Sequence, residues 1–347
     1  MSNIRYDRIH DNHVIIAPER LHRPDCYLSK APTNREVEDF FDKACPFCEG
    51  NEALTPHEIF AIREETSLAN KKGWQTRVIP NLYKAVQIEA PYQHHHGAFE
   101  YWEGFGAHEV IVDTPKHYTS MLQWHEADVV AWLQTLRARV SDLRRDHRIA
   151  YISLFKNEGV HAGATQTHSH TQLIGLPIIP KLQREVFQRT YDYYNHHAHA
   201  LLVSEISNEE ANGERIVAQK GDFTAYCPYA SAYPFEVMIS SKKALGQIDT
   251  LSDKSMETLA PLLLLILKKL KRQLGCFDFN LSIATPPLQE GTVERALLYN
   301  VDEVCRFAIR IMPRLYKHAG FEVSTEVMIN PVSPEFCAKL LREGNDE

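Results

Sequence analysis

The chain has 347 residues, enough for one large domain or two of ordinary size, and its 44% hydrophobic and 24% charged content is that of a soluble globular protein. Its 38 basic and 45 acidic residues leave a net charge of −7, so no global positive field draws nucleic acid, and a phosphate-bearing ligand has to be held by a local site. The longest apolar run, residues 259–267, is too short to cross a membrane; no apolar leader follows Met1, and seven scattered cysteines suit reduced thiols and a metal pair better than disulfides, which predicts a cytoplasmic protein.

In chain order, residues 4–9 and 12–17 read as two short paired strands. In the basic segment 18–24, Arg20 and Arg23 either fork a phosphate or sit in a solvated loop. Cys45-Pro-Phe-Cys48 is a C-x2-C knuckle, which favours zinc over a redox dithiol because no thioredoxin-like βαβ pattern surrounds it. The remaining ligands must come from elsewhere in the chain. In residues 77–83, Asn81 reads as a turn former after Pro80. The tract His94-His95-His96 is set aside as a metal site, because consecutive residues do not converge on one ion. A strand over 106–113 follows, then helical periodicity over 124–148 with Val129, Val130, Leu133, Leu136 and Val140 as the buried stripe.

The most informative stretch is 157–172, between apolar segments 149–155 and 173–179 that both read as strands. It is small, polar and glycine-bearing. Gly159 and Gly163 permit positive φ and close approach to a ligand, and backbone N–H groups in such a loop suit a phosphate. His168, His170 and Gln172 are spaced i, i+2, i+4, so on an extended chain they share one face. A neutral imidazole there can attack phosphorus and carry the phosphoryl group covalently, with Gln172 as donor or acceptor beside it. Two surface histidines in a turn are the plainer alternative. No Walker-type G-x4-G-K-[ST] occurs, which argues against a motor ATPase or kinase.

The order of elements then repeats. Residues 233–240 read as a strand, Ser252 caps a helix that ends at Gly275, and 277–284 and 306–312 are strands. Two passes of strand–helix–strand–strand predict an internal duplication in an α+β fold with mixed, largely antiparallel sheets flanked by helices. The halves are placed at 1–190 and 191–347.

The run Asn157-x-Gly-x3-Gly163-Ala164-Thr165-x2-His168-x-His170-x-Gln172 resembles the signature of the galactose-1-phosphate uridylyltransferase family of the histidine-triad superfamily, and looks closest to its ADP-glucose phosphorylase-like branch. The resemblance spans residues from near 10 to near 340. It implies a duplicated histidine-triad-like fold and a nucleotidyltransferase that moves a nucleoside monophosphate from a nucleoside diphosphate sugar to a hexose 1-phosphate or to inorganic phosphate. His170 would carry the nucleotide in a ping-pong reaction, assisted by Gln172. Cys45, Cys48, His117 and His168 would hold one structural zinc ion. Arg20, Arg23, Asn157, Gly163, Ala164 and Thr165 would bind the phosphates, and Asn81 would line the base and ribose pocket. Gly320, Phe321 and Glu326 would approach the sugar-phosphate end, with a neighbouring subunit contributing, so the resemblance implies a homodimer. Glu326 stands where that branch tends to have glycine. Arg306-Phe307-Ala308 stands where relatives often have His-Trp-His, so no second metal is expected. A histidine-triad hydrolase and a non-catalytic nucleotide-binding protein remain as alternatives.

Overall fold

The computed structural model describes residues 1–22, 40–288 and 300–343; Arg23 lies outside them. Strands β1 (Asn3–Asp7) and β2 (Asn12–Ile16) pair antiparallel, as their sequence predicts. The first half then runs β3 (Phe60–Arg63), β4 (Trp74–Pro80), a hairpin of β5 (His94–His95) and β6 (Tyr101–Trp102), β7 (Ala107–Val112), helix α1 (Glu126–Leu143), β8 (Tyr151–Glu158) and β9 (His170–Leu176). Helices α2 (Lys181–His197) and α3 (Leu201–Asn212) lead into the second half. It runs β10 (Ile216–Lys220), β11 (Phe223–Tyr226), β12 (Val237–Ser241), α4 (Asp253–Leu274), β13 (Phe279–Ile283), the short α5 (Val301–Val304) and β14 (Ala308–Pro313). The short helix α6 (Gly320–Thr325), strand β15 (Met328–Asn330) and helix α7 (Pro334–Glu343) complete the described chain. The domain boundary expected at 190 falls within α2.

Ten strands make one sheet in the order β10-β11-β12-β14-β13-β8-β9-β7-β4-β3. Read outward from the β8–β13 junction, each half gives the same antiparallel arrangement: β8-β9-β7-β4-β3 on one side and β13-β14-β12-β11-β10 on the other. The duplication expected from the element order is therefore present in the strand pairing. Register fixes the equivalence. Val112 pairs with His170 in the first half, and Ser240 pairs with Ala308 in the second. Arg306 and Ala308 thus occupy the places of His168 and His170, and Arg310 that of Gln172.

Helices α1 and α4 cover one face of the sheet. Val129, Leu133, Leu136 and Val140 are buried as the periodicity predicts, while Val130 is only partly buried. The Ser252 side chain accepts from the Ser255 N–H at the start of α4, and Gly275 ends the helix at φ +72°, both as read from sequence. Strand alternation sends the polar positions to the other face. Thr171 Oγ accepts from Trp132 Nε1 of α1 at 2.9 Å and Leu173 joins the helix-covered core, so His170 and Gln172 point away from the helices. Strand β9 begins at His170 rather than at 173, because residues 170–172 are already in the β7 ladder.

The chain ends are tied to the second half by Glu335 of α7. Its carboxylate accepts from Arg5 at 2.7 and 3.1 Å and from Arg215 at 2.8 Å. Burial works to raise its pKa, but hydrogen bonds from Arg5 and Arg215 outweigh that and hold it at about 2, against an ordinary 4.5. A depressed carboxylate stabilises the fold above its unfolded value and loses that contribution as pH falls through its folded value. Glu335→Gln should cost about 3 kcal/mol at pH 7. In denaturant titrations its deficit against the parent should shrink steadily from pH 4.5 towards 2; a deficit that does not change with pH would refute the ion-pair account.

Candidate active site and metal centre

Four ligand-type side chains from three places in the chain converge beside β9. Cys45, Cys48, His117 and His168 are all buried, and one donor atom from each lies within 4.8 Å of the others. Cys48 Sγ is 3.2 Å from His117 Nδ1 and 3.7 Å from His168 Nδ1, and Cys45 Sγ is 3.6 Å from His168 Nδ1. The knuckle is held in place by backbone: Glu49 N–H donates to Pro115 O, and Asn51 Nδ2 donates to Cys45 O at 2.8 Å.

The donor set fits a tetrahedral cation. His168 Nε2 donates to Thr114 O at 2.9 Å, which leaves Nδ1 unprotonated and facing the thiols. Burial above all lowers the His168 pKa to about 3, so its ring is neutral. Burial raises the Cys45 thiol to about 12, so its thiolate needs a cation to balance it. The Cys2His2 group assembled here could bind one metal ion.

His170 lies beside this group with the opposite ring orientation. Its Nδ1–H donates to the His168 carbonyl at 2.8 Å, which leaves Nε2 with a free lone pair. The ring is 6% exposed and lies 5.6 Å from the Phe47 ring. Burial first, then the Lys156 charge, hold its pKa below the usual imidazole range, so the ring is neutral at neutral pH. A neutral imidazole with one fixed N–H and one open nitrogen can act as a nucleophile towards phosphorus.

A fully buried lysine lies beneath the histidines. Lys156 Nζ donates to Asp113 Oδ2 at 2.8 Å, Ser169 Oγ at 2.7 Å and His170 O at 3.1 Å, so it binds β7, β8 and the His168–His170 segment together. Nearby, Glu158 accepts from Ser120 Oγ at 2.5 Å and Met121 N at 2.9 Å. Burial, partly offset by Lys156, raises its pKa to about 7.

The glycine loop is buttressed from the other half. Asn280 Nδ2 of β13 donates to Asn157 Oδ1 at 2.8 Å and to Ala162 O at 2.9 Å, and Asp278 accepts from the His161 N–H at 2.8 Å. Gly159 has φ +85°, and a Cβ there would lie 2.0 Å from Asp278 Oδ1, so only glycine fits. The N–H groups of Ala162, Gly163 and Ala164 bond to Gly159 O or Val160 O. They shape the loop rather than project from it, which differs from the expectation of free backbone donors. Space above Gly163 is open apart from Asn157 at 3.9 Å, and Thr165 is exposed.

His108 of β7 sits between Asn81 and Gln172. Its Nδ1 accepts from the Ala85 N–H at 3.0 Å, so its single proton is on Nε2. That nitrogen lies 3.1 Å from Gln172 Oε1 and 3.0 Å from Asn81 Nδ2. Gln172 can accept its proton; Asn81 Nδ2 cannot. Gln172 is thereby oriented with its oxygen towards His108, while Asn81 Oδ1 accepts from the Tyr83 N–H at 2.8 Å.

These bonds set the chain beside known proteins. The model of the galactose-1-phosphate uridyl transferase N-terminal domain matches residues 1–180, and that of the C-terminal domain matches 183–299. The chain belongs to the galactose-1-phosphate uridyl transferase family. This is a family of nucleotidyl-transferring enzymes with a duplicated histidine-triad-like α+β fold. Among curated relatives, ADP-glucose phosphorylase of Arabidopsis thaliana is 31% identical over 98% of this chain and 92% of its own length. Galactose-1-phosphate uridylyltransferase of Saccharomyces cerevisiae is 25% identical over 98% and 93%. A crystal structure of the Arabidopsis ADP-glucose phosphorylase with bound ADP-glucose superposes with a TM-score of 0.80 at 28% identity, covering all of both chains.

Of the residues singled out in the sequence, the four candidate ligands, His170, Gln172, Asn157 and Asn81 fall in one neighbourhood. Arg20 is exposed on the 3-10 turn Pro18–His22. Gly320 and Phe321 lie on exposed α6; Glu326, at φ +60°, follows it, and its carbonyl accepts from Asn12 Nδ2. Among the described residues, no hydrogen bond or ring contact joins these three to His170. Sequence reading missed Lys156, Asp113, His108, Asp278 and Asn280. The last two carried a signal, since Asp278, Asn280 and Ser282 alternate with Phe279, Leu281 and Ile283 and so mark the polar face of a strand.

The described residues contain no helix long and apolar enough to cross a membrane.

Proposed function

We propose that the protein transfers a nucleoside monophosphate from a nucleoside diphosphate sugar, with an adenine nucleotide as the favoured donor, by way of a nucleotidyl group on His170. The observation that carries this is the 2.8 Å bond from His170 Nδ1 to the His168 carbonyl, which fixes the tautomer that attack requires. Nε2 attacks the α-phosphorus; the bond from that phosphorus to the oxygen of the sugar phosphate breaks, and sugar 1-phosphate departs. An oxygen of inorganic phosphate or of a hexose 1-phosphate then attacks the same phosphorus, and the P–N bond breaks. The first leaving group is a phosphate and the second is the His170 imidazole, which keeps its Nδ1–H and departs neutral, so neither step needs a general acid. Adenine is favoured by the 31% identity to the Arabidopsis ADP-glucose phosphorylase.

Gln172, held by His108, presents its amide NH2 to the phosphoryl oxygens. Arg20, Arg23, Asn157 and Thr165 bind the phosphates, with Gly163 and Ala164 small enough to admit them, and Asn81 lines the base and ribose pocket. The cation in the Cys45–Cys48–His117–His168 group is zinc, whose chemistry is structural charge balance for the knuckle. Gly320, Phe321 and Glu326 serve the sugar-phosphate end of a neighbouring subunit in a homodimer. The halves divide within α2, and the protein is cytoplasmic.

The half-reaction tests this reading. Protein mixed with ADP-glucose and labelled glucose 1-phosphate, with no phosphate present, should exchange label into ADP-glucose; UDP-glucose should do so more slowly. Release of AMP without exchange would identify a hydrolase, and neither outcome would leave a binding protein. His108→Leu should lower turnover about tenfold, the worth of one orienting hydrogen bond. Gln172→Ala should cost at least as much, and the double variant should be no worse than Gln172→Ala alone. Additive losses would mean that His108 does not act through Gln172.

A further inference from the structure

The hairpin β5–β6 gathers a second group of metal-ligand side chains, on the surface and apart from the Cys2His2 centre. His94, His96 and Glu100 place one donor atom each within 4.8 Å of one another. Glu100 Oε1 is 2.6 Å from His94 Nε2 and 3.7 Å from His96 Nδ1, and the two rings are 3.8 Å apart. Ligand atoms at about 2.1 Å from a tetrahedral ion stand about 3.4 Å from one another. The two donor–donor distances from Glu100 fall on either side of that value.

The tract was set aside in the sequence because three consecutive histidines do not converge. The hairpin separates them. His94 pairs with Trp102 and His95 with Tyr101, and strand alternation sends His95 to the opposite side from His94 and His96. The turn after His96 then brings Glu100 back over the His94–His96 side. The arrangement is braced before any ion arrives. His94 stacks on Trp102 at 3.9 Å and 9°, and His95 stacks on Tyr101 while its Nε2 is 3.0 Å from Glu103 Oε1. Below, Glu103 N–H donates to Gln93 O and Gln87 N–H to Gly104 O, closing the base of the loop.

We propose that His94, His96 and Glu100 form a surface site for a divalent transition-metal ion such as Zn²⁺ or Ni²⁺. Two imidazoles select these ions over Mg²⁺ and Ca²⁺, which take oxygen ligands. His96 and Glu100 are largely open to solvent, so the remaining coordination positions go to water or to an incoming donor group. With three ligands, two of them exposed, the site binds more weakly than the buried four-ligand centre and exchanges its ion readily.

The test uses full-length protein with its buried centre filled. In equilibrium dialysis against Zn²⁺, the protein should take up a second equivalent. The His94→Ala/His96→Ala variant should keep only the first, with its melting temperature and nucleotidyl transfer unchanged. Glu100→Gln, which leaves both rings on the hairpin, should weaken the second equivalent at least tenfold. Ni²⁺ should quench the emission of Trp102, the one exposed tryptophan of the four, and Trp102→Phe should remove the quenching. Failure of the parent to bind a second equivalent, or the same second equivalent in the double-alanine and Glu100→Gln variants, would overturn the proposal. Its failure would leave the His170 reading untouched, because no residue is shared.

Discussion

His170→Asn should lower turnover on the order of 10⁵-fold while leaving the fold and the binding of nucleotide sugar intact. Asparagine is the informative choice. Its side-chain NH2 can still donate to the His168 carbonyl, as Nδ1–H does at 2.8 Å in the parent, so the strand start keeps its bond. What disappears is the second nitrogen. Without it, the acceptor phosphate must displace the sugar phosphate directly, and two anions must meet in one step. The covalent route splits that step in two and lets the first phosphate leave before the second arrives. Single-turnover assays with ADP-glucose check this, with melting temperature and donor affinity as controls. A variant that still turns over within a hundredfold of the parent would show that another group carries the nucleotide.

The second large effect is expected at the metal centre. Cys48→Ser, or prolonged chelation, should remove the bound ion and destabilise the first half by about 4 kcal/mol or more. Cys48 is the ligand to choose because its sulfur lies near both histidines, at 3.2 and 3.7 Å. With no cation to balance, the buried thiol stays protonated, and the knuckle loses its link to His117 and His168. Activity should fall with stability, because His168 supplies the carbonyl that fixes the His170 tautomer. Restoring Zn²⁺ to the chelated parent should recover both; restoring it to Cys48→Ser should recover neither fully. Metal analysis with thermal unfolding measures this, and a metal-free protein that melts with the parent would contradict it.

The parts of this site that were legible in the sequence are those set by local periodicity. His168, His170 and Gln172 share a face because strands alternate. C-x2-C marks a knuckle because its spacing suits one ion, and Ser252 and Gly275 bound a helix through local backbone chemistry. The hidden parts depend on pairings far apart in the chain. Asn280 reaches Asn157 only because β13 adds to β8 across the junction of the halves. Lys156 lies between the strand read over 149–155 and the motif that starts at 157, and drew no reading of its own; its burial under the histidines follows from Asp113 arriving at the end of β7. The role of His108 rests on one backbone N–H, that of Ala85, which fixes a tautomer no sequence records. Which rings of the 94–96 tract meet was hidden for the same reason, since a hairpin and a returning Glu100 decide it. Arg23 was singled out in the sequence, but it lies outside the described residues.

The central claim is that His170 takes up the nucleotide. Intact mass measured after mixing the protein with ADP-glucose alone, quenched in mild alkali, tests it most directly. The account predicts a chain heavier by one AMP, with the addition at residue 170, lost in acid and discharged as ADP when phosphate is added. Turnover of ADP-glucose by a chain whose mass never changes would contradict it.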